Sequence, residues 1–359
     1  MYLFLWNLSL KNPIVDMMYP SHMVEWLKVF HTRERNHFIS DTSTCCFEVQ
    51  KNSNMTTMEI PNFVRVHEDG TIERLQGSPF VPPKLQDPTT NLSSKDVVIS
   101  DKPPISARLY LPNGISKNLK LPILVYFHGG GFFFESAFSQ LHQNYFNTFL
   151  SVADILVVSV EYRLAPETPL PAAYHDCWEA LKWVATKADP WVLKHGDFDR
   201  VFVGGDSAGA NIAHNIAMRA GAEALPGGVT VLGALVSQPF FLGSKRIGSE
   251  TEESLSVRVW EWIQPCDGGG FDNPLINPLS SAAASLSGLG CRKLLVCTAG
   301  VDELRERGLW YYEAVKKSGW EGKVELYEVD GEDHTFHVND PRTQNAHSMF
   351  KRFADFILH

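Results

Sequence analysis

The segment Gly205-Asp206-Ser207-Ala208-Gly209 constrains this chain more than any other, because of where it stands. The apolar run Val201-Phe202-Val203 leads into it, and a helical pattern over 208–220 follows. A buried strand must therefore turn into a helix around a single residue, with Ser207 at the apex and its hydroxyl projecting into a cleft. Glycines two positions before and after the serine suit that turn, since side chains there would collide with neighbouring backbone.

The rest of the chain repeats the strand-then-helix rhythm. Strand patterns fall at 96–100, 107–111, 122–127, 155–160, 201–203, 231–236, 294–297 and 324–327, and helical patterns at 172–187, 208–220, 306–317 and 341–358. Such alternation predicts an α/β fold with a mainly parallel central sheet and helices on both faces. The first two strands precede any helix and are expected to form an antiparallel edge. The insert 240–278, with Trp260, Trp262 and Gly268-Gly269-Gly270, interrupts the rhythm; together with 60–83 it is expected to form a small cap. Residues 1–57 show no clear period, no basic flank and no cleavage pattern. They read as an N-terminal leader, disordered or a gene-model extension, ahead of one domain over 58–359.

A serine hydroxyl attacks well only when a base takes its proton and donors stabilise the resulting oxyanion. The expected order along the chain is serine, acid, histidine. Asp302 follows the strand at 294–297 and His334 follows the strand at 324–327, so each partner of Ser207 ends its own strand. Upstream, the strand at 122–127 runs into His128-Gly129-Gly130-Gly131-Phe132. The amides of Gly129 and Gly130, with that of Ala208, are the expected oxyanion donors, while His128 and Gly131 shape the loop. His128 precedes the serine and is excluded as the base by chain order. Other groups have plainer readings. Asp206 should hold the turn by hydrogen bonds, and His175 and Asp176 should cap a helix. Glu303, Glu332 and Asp333 read as solvated turn residues, and Phe132-Phe133-Phe134 as packing with one pocket wall. His337 is the weaker alternative to His334.

Several segments together resemble the hormone-sensitive-lipase branch of the α/β-hydrolases, and within it the plant carboxylesterases. They are His128-Gly129-Gly130-Gly131-Phe132, Glu161-Tyr162-Arg163-Leu164-Ala165-Pro166-Glu167, Pro171-Ala172-Ala173-Tyr174, Gly204-Gly205-Asp206-Ser207-Ala208-Gly209-Ala210-Asn211, and the surroundings of Asp302 and His334. The resemblance implies an α/β-hydrolase fold over about 58–359 and a serine carboxylesterase. It further implies small hydrophobic esters as substrates, an acyl-enzyme intermediate, and neither cofactor nor metal. Gibberellin receptors resemble these esterases but lack the catalytic histidine, which His334 supplies here. The 2-hydroxyisoflavanone dehydratases are the alternative: they use the same oxyanion hole and base to eliminate water, and the segments 182–185 and 243–250 resemble theirs.

Charge and cysteine usage narrow the remaining classes. The net charge of −9 argues against nucleic acid as a partner. No apolar run approaches the ~18 residues of a membrane span. The six cysteines are scattered without metal-binding spacing and read as reduced thiols, which makes a cytoplasmic location the expectation. No obligate protein partner is evident, leaving a small-molecule ester as the expected partner.

Overall fold

The computed structural model describes residues 58–116, 119–265 and 268–359. The expected leader over 1–57 lies outside the described residues. Met58–Ile60 (β1), Val64–Val66 (β2) and Ile72–Arg74 (β3) pair into a small antiparallel sheet. The main sheet contains Leu92–Asp101 (β4), Pro104–Pro112 (β5), Leu121–Phe127 (β6), Leu156–Glu161 (β7), Gly196–Asp206 (β8), Val231–Ser237 (β9), Lys293–Ala299 (β10) and Lys323–Val329 (β11). Its order is β11-β10-β9-β8-β6-β7-β5-β4. Neighbours from β11 to β7 run parallel, whereas β5 and β4 add antiparallel at the far edge. Every expected strand is present. Most extend beyond the apolar run that announced them, because ladder hydrogen bonds continue through polar ends; β8 runs from Gly196 although its apolar centre starts at Val201.

The middle stretches of the central strands are mostly apolar because both faces of a parallel sheet are covered. All of β6 is buried. Alternate residues serve opposite layers: Ile123, Val125 and Phe127 join one core, Leu124 and Tyr126 the other. The helices are Gln140–Phe149 (α1), Ala172–Ala185 (α2), Pro190–His195 (α3), Ala208–Ala222 (α4), Leu255–Ile263 (α5), Arg305–Lys317 (α6), Phe336–Asn339 (α7) and Gln344–Leu358 (α8). One layer is built from α1 and α8, whose Tyr145, Phe146, Phe149, Phe350 and Phe353 share a core with Leu124, Tyr126 and Phe202. The opposite core takes residues of α2, α4, α5 and α6. Helix α8 starts at Gln344, later than the pattern over 341–358 implied, because the Thr343 side chain accepts the Ala346 N–H and caps it there. Helix α1 escaped the sequence reading since its buried face includes His142 and Gln143. Among the described residues no helix is long and apolar enough to cross a membrane.

Candidate active site

Ser207 stands immediately after β8 and before α4, with φ +52°, a region L residues rarely occupy. The turn is held on all sides. Its N–H donates to the Ser237 carbonyl at 3.0 Å, and its carbonyl accepts from Phe240 and Asn211, each at 3.0 Å. A Cβ on Gly209 would fall on the Phe127 carbonyl oxygen, and one on Gly205 would collide with both that oxygen and the Gly209 backbone. The two glycines are therefore imposed by close approach of β6, β8 and α4.

β6 ends at Phe127, which sets the glycine loop beside Ser207. His128 is fully buried, stacks on Tyr162 with ring centres 4.2 Å apart, and keeps Nδ1 2.8 Å from the Gly129 carbonyl oxygen. Burial, only partly offset by the Gly129 carbonyl, lowers this imidazole to about 4, so at neutral pH it is an uncharged part of the loop. The Gly129 amide differs from expectation: it donates to Asp206 Oδ1 at 3.2 Å, and that same oxygen accepts the Tyr126 hydroxyl at 2.6 Å. Gly129 is thus taken up in bracing the loop against the serine turn. The amides of Gly130, Gly131 and Ala208 bond to no acceptor among the described residues. Asp206 is pushed up to about 6 by burial, against the opposing pull of the Tyr126 hydroxyl, the His334 charge and the Gly129 amide.

Asp302 lies just beyond β10, and His334 just beyond β11. The His334 Nε2 is 2.8 Å from Ser207 Oγ, and its Nδ1 is 2.8 Å from Asp302 Oδ2. A carboxylate only accepts, so in the neutral imidazole Nδ1 carries the proton and the Nε2 lone pair faces the serine hydroxyl. Asp302 has no side-chain exposure, and its other oxygen accepts the Leu304 N–H at 2.8 Å. Burial lowers the His334 pKa, but the charge and hydrogen bond of Asp302, with smaller contributions from Glu303 and Asp206, outweigh it and raise the imidazole to about 9.

The remaining candidates fall into place around this chain of bonds. His337 is fully buried among Tyr145, Phe350 and Phe353; burial, aided by the His334 charge, depresses it to about 3, and it faces Ser237, not Ser207. Asp176 does not cap α2. It is buried inside that helix and accepts from Arg163 through Nε at 2.8 Å, the far guanidinium nitrogen at 2.6 Å and the backbone N–H at 3.0 Å. Asp333 Oδ1 accepts the His334 N–H at 2.7 Å, while Glu332 accepts from Asn345 at 2.7 Å. Glu303 is more than a solvated turn residue, because Oε1 accepts the Ser256 N–H in the first turn of α5 at 3.0 Å.

Helix α5 lies over the glycine loop. A Cβ on Gly131 would come within 3.3 Å of Val259, and Trp262 meets Phe133 edge-on with ring centres 5.4 Å apart. Phe63, from the β1–β2 turn, packs against Phe133 and Phe134. Arg74 on β3 donates to the Phe133 carbonyl at 2.6 Å and pairs with Glu167. A cavity of about 610 Å³ opens nearby between Arg74, Glu135, Glu161 and Arg163, but neither Ser207, Asp302 nor His334 lines it. The bonds around Ser207, and not that cavity, mark the candidate site.

A family described as alpha/beta hydrolase fold matches residues 124–338. A 2-hydroxyisoflavanone dehydratase from Glycyrrhiza echinata is 55% identical over 313 residues, covering 84% of this chain and 95% of that protein. Probable carboxylesterase 1 of Arabidopsis thaliana is 42% identical over 308 residues, covering 83% and 95%. Among solved structures, an esterase of Pyrobaculum calidifontis superposes with a TM-score of 0.63 at 28% identity, over 77% of this chain and 85% of that one. The strand order, the turn at Ser207 and the extent of these matches agree that the chain belongs to the alpha/beta hydrolase family, in the hormone-sensitive-lipase-like branch that includes plant carboxylesterases and 2-hydroxyisoflavanone dehydratases.

Proposed function

We propose that this protein is a serine carboxylesterase acting on small, hydrophobic carboxylic esters. The observation that carries the reading is the 2.8 Å approach of His334 Nε2 to Ser207 Oγ, with Asp302 on the far side of the ring. In this scheme His334 takes the hydroxyl proton as Ser207 attacks the ester carbonyl. Asp302 keeps the imidazole in the required tautomer and stabilises the imidazolium. In this reading the carbonyl oxygen becomes an anion stabilised by the N–H groups of Gly130, Gly131 and Ala208, which bond to no acceptor among the described residues. His334 returns its proton to the departing alcohol, leaving Ser207 acylated, and the same base then activates water to release the acid. The apolar groups near the glycine loop, Phe133, Val259 and Trp262, favour uncharged substrates.

The test is turnover of p-nitrophenyl esters of graded chain length. Ser207→Ala is expected to lower kcat by at least about 10⁴-fold. Near-normal turnover by that variant would sink the assignment.

A second reading has its own support, the 55% identity to a 2-hydroxyisoflavanone dehydratase. Elimination needs a base for the proton next to the carbonyl and donors for the developing enolate oxygen, but no acyl-enzyme. Under that reading His334→Ala abolishes dehydration, while Ser207→Thr retains much of it and loses ester hydrolysis. A wild type that leaves a 2-hydroxyisoflavanone untouched, with both variants dead on esters, excludes the dehydratase.

A further inference from the structure

β9 ends at Ser237, whose carbonyl holds the Ser207 N–H at 3.0 Å. The next residue, Gln238, leaves the sheet with left-handed backbone, φ +49°, and is 1% exposed. Its side chain crosses to the turn after β11. Oε1 accepts the Thr335 N–H at 2.8 Å, and Nε2 donates to the Asp333 carbonyl at 3.4 Å. Those two residues flank His334. One amide therefore ties the backbone on both sides of the imidazole-bearing residue, at a turn where Thr335 also has left-handed backbone, φ +53°. The adjoining residues Ser237 and Gln238 thus reach Ser207 through a main-chain carbonyl and the His334 turn through a side chain.

We infer that Gln238 is a positioning residue, which fixes the reach of His334 Nε2 to Ser207 Oγ. The inference rests on the reading of His334 as the base. The chemistry explains the residue type. The Thr335 N–H finds its acceptor in Gln238, and the Asp333 carbonyl, which also accepts the Phe336 N–H at 3.3 Å, takes a second donor from it. An amide of this length supplies both, glutamate only the acceptor and methionine neither. The two hydrogen bonds offset the desolvation of this buried neutral amide, whereas a charge there would disturb the imidazole.

The experiment compares wild type with Gln238→Met and Gln238→Glu in the full chain. For Gln238→Met, kcat on p-nitrophenyl butyrate is expected to fall at least about tenfold, since a misplacement of about 1 Å costs up to about 10²-fold. KM should stay within about twofold, because binding in the cleft is not touched. Gln238→Glu keeps the acceptor for Thr335 and should recover part of kcat. Its negative charge should also move the acid limb of the pH profile upward, because an anion favours the imidazolium. A readout independent of turnover is the NMR titration of the His334 ring in histidine-labelled protein, assigned with His334→Gln. Its signal should be displaced or broadened in Gln238→Met. Wild-type kcat in Gln238→Met, or an unaltered His334 signal, overturns the inference. Should wild type hydrolyse no ester, the esterase reading fails by itself, and the His334 signal still decides the role of Gln238.

Discussion

Ser207 and His334 face each other across one hydrogen bond, yet the molecule holds them by different means. Ser207 is gripped by main chain. Its amide and carbonyl are bonded to neighbouring backbone, its φ of +52° is enforced, and Gly205 and Gly209 leave no room for adjustment. His334 sits in a turn whose side chain is 31% exposed and whose anchors are largely side chains: Asp302, Gln238, Asp333 and Asn339. Main-chain restraint is rigid and intolerant of substitution. Side-chain restraint can be weakened one bond at a time, so the two halves of the site should respond differently to mutation.

The most damaging change should be Gly209→Ala. The added methyl would occupy the Phe127 carbonyl oxygen, and backbone cannot give way as a flexible side chain does. The expected result is loss of more than about 3 kcal/mol and of soluble folded protein, read by yield and thermal melting. A well-folded variant of unchanged Tm would break the claim that main chain holds the serine.

On the other side, Asp302→Asn should leave the fold in place while lowering kcat on esters by about 10⁴-fold, because an amide no longer enforces the tautomer. Loss of both stability and activity would erase the contrast between the two halves.

The pH profile sharpens the comparison further. In the proposed reaction His334 serves as a base only when neutral, and its pKa is raised from 6.5 to about 9 by Asp302 over the opposing effect of burial. Ester kcat/KM should therefore fall as pH drops through an acid limb centred above 6.5, with activity still rising into the alkaline range. A limb centred at or below 6.5 would mean that Asp302 does not stabilise the imidazolium.

The smallest expected effect belongs to Glu303→Gln. The Glu303 carboxylate meets the N-terminal turn of α5, a contact typically worth about 0.3–1 kcal/mol. Losing its charge should loosen the helix over the glycine loop and raise KM about two- to fivefold while kcat holds and Tm falls by no more than about 4 °C. A fall in kcat without a change in KM would place the effect on the neighbouring Asp302.

Some of this was settled by sequence alone. The eight main strands, the turn at Ser207, and the order of Ser207, Asp302 and His334 were legible because their causes are local. Strands covered on both faces carry an apolar centre, and the tight turn admits only glycine two residues either side of the serine. Hydrogen-bond partners were another matter. Gly129 was expected to serve an oxyanion, but its amide turns to Asp206, 77 residues away. Gln238 reaches Thr335 across 97 residues, and Ser256 meets Glu303 across 47. Asp176 stands where a helix begins in the sequence, yet Arg163 claims it inside the core. Tertiary structure decided these pairings, because a buried donor or acceptor bonds to whatever complementary group the packing brings within about 3 Å, and spacing along the chain does not encode that proximity.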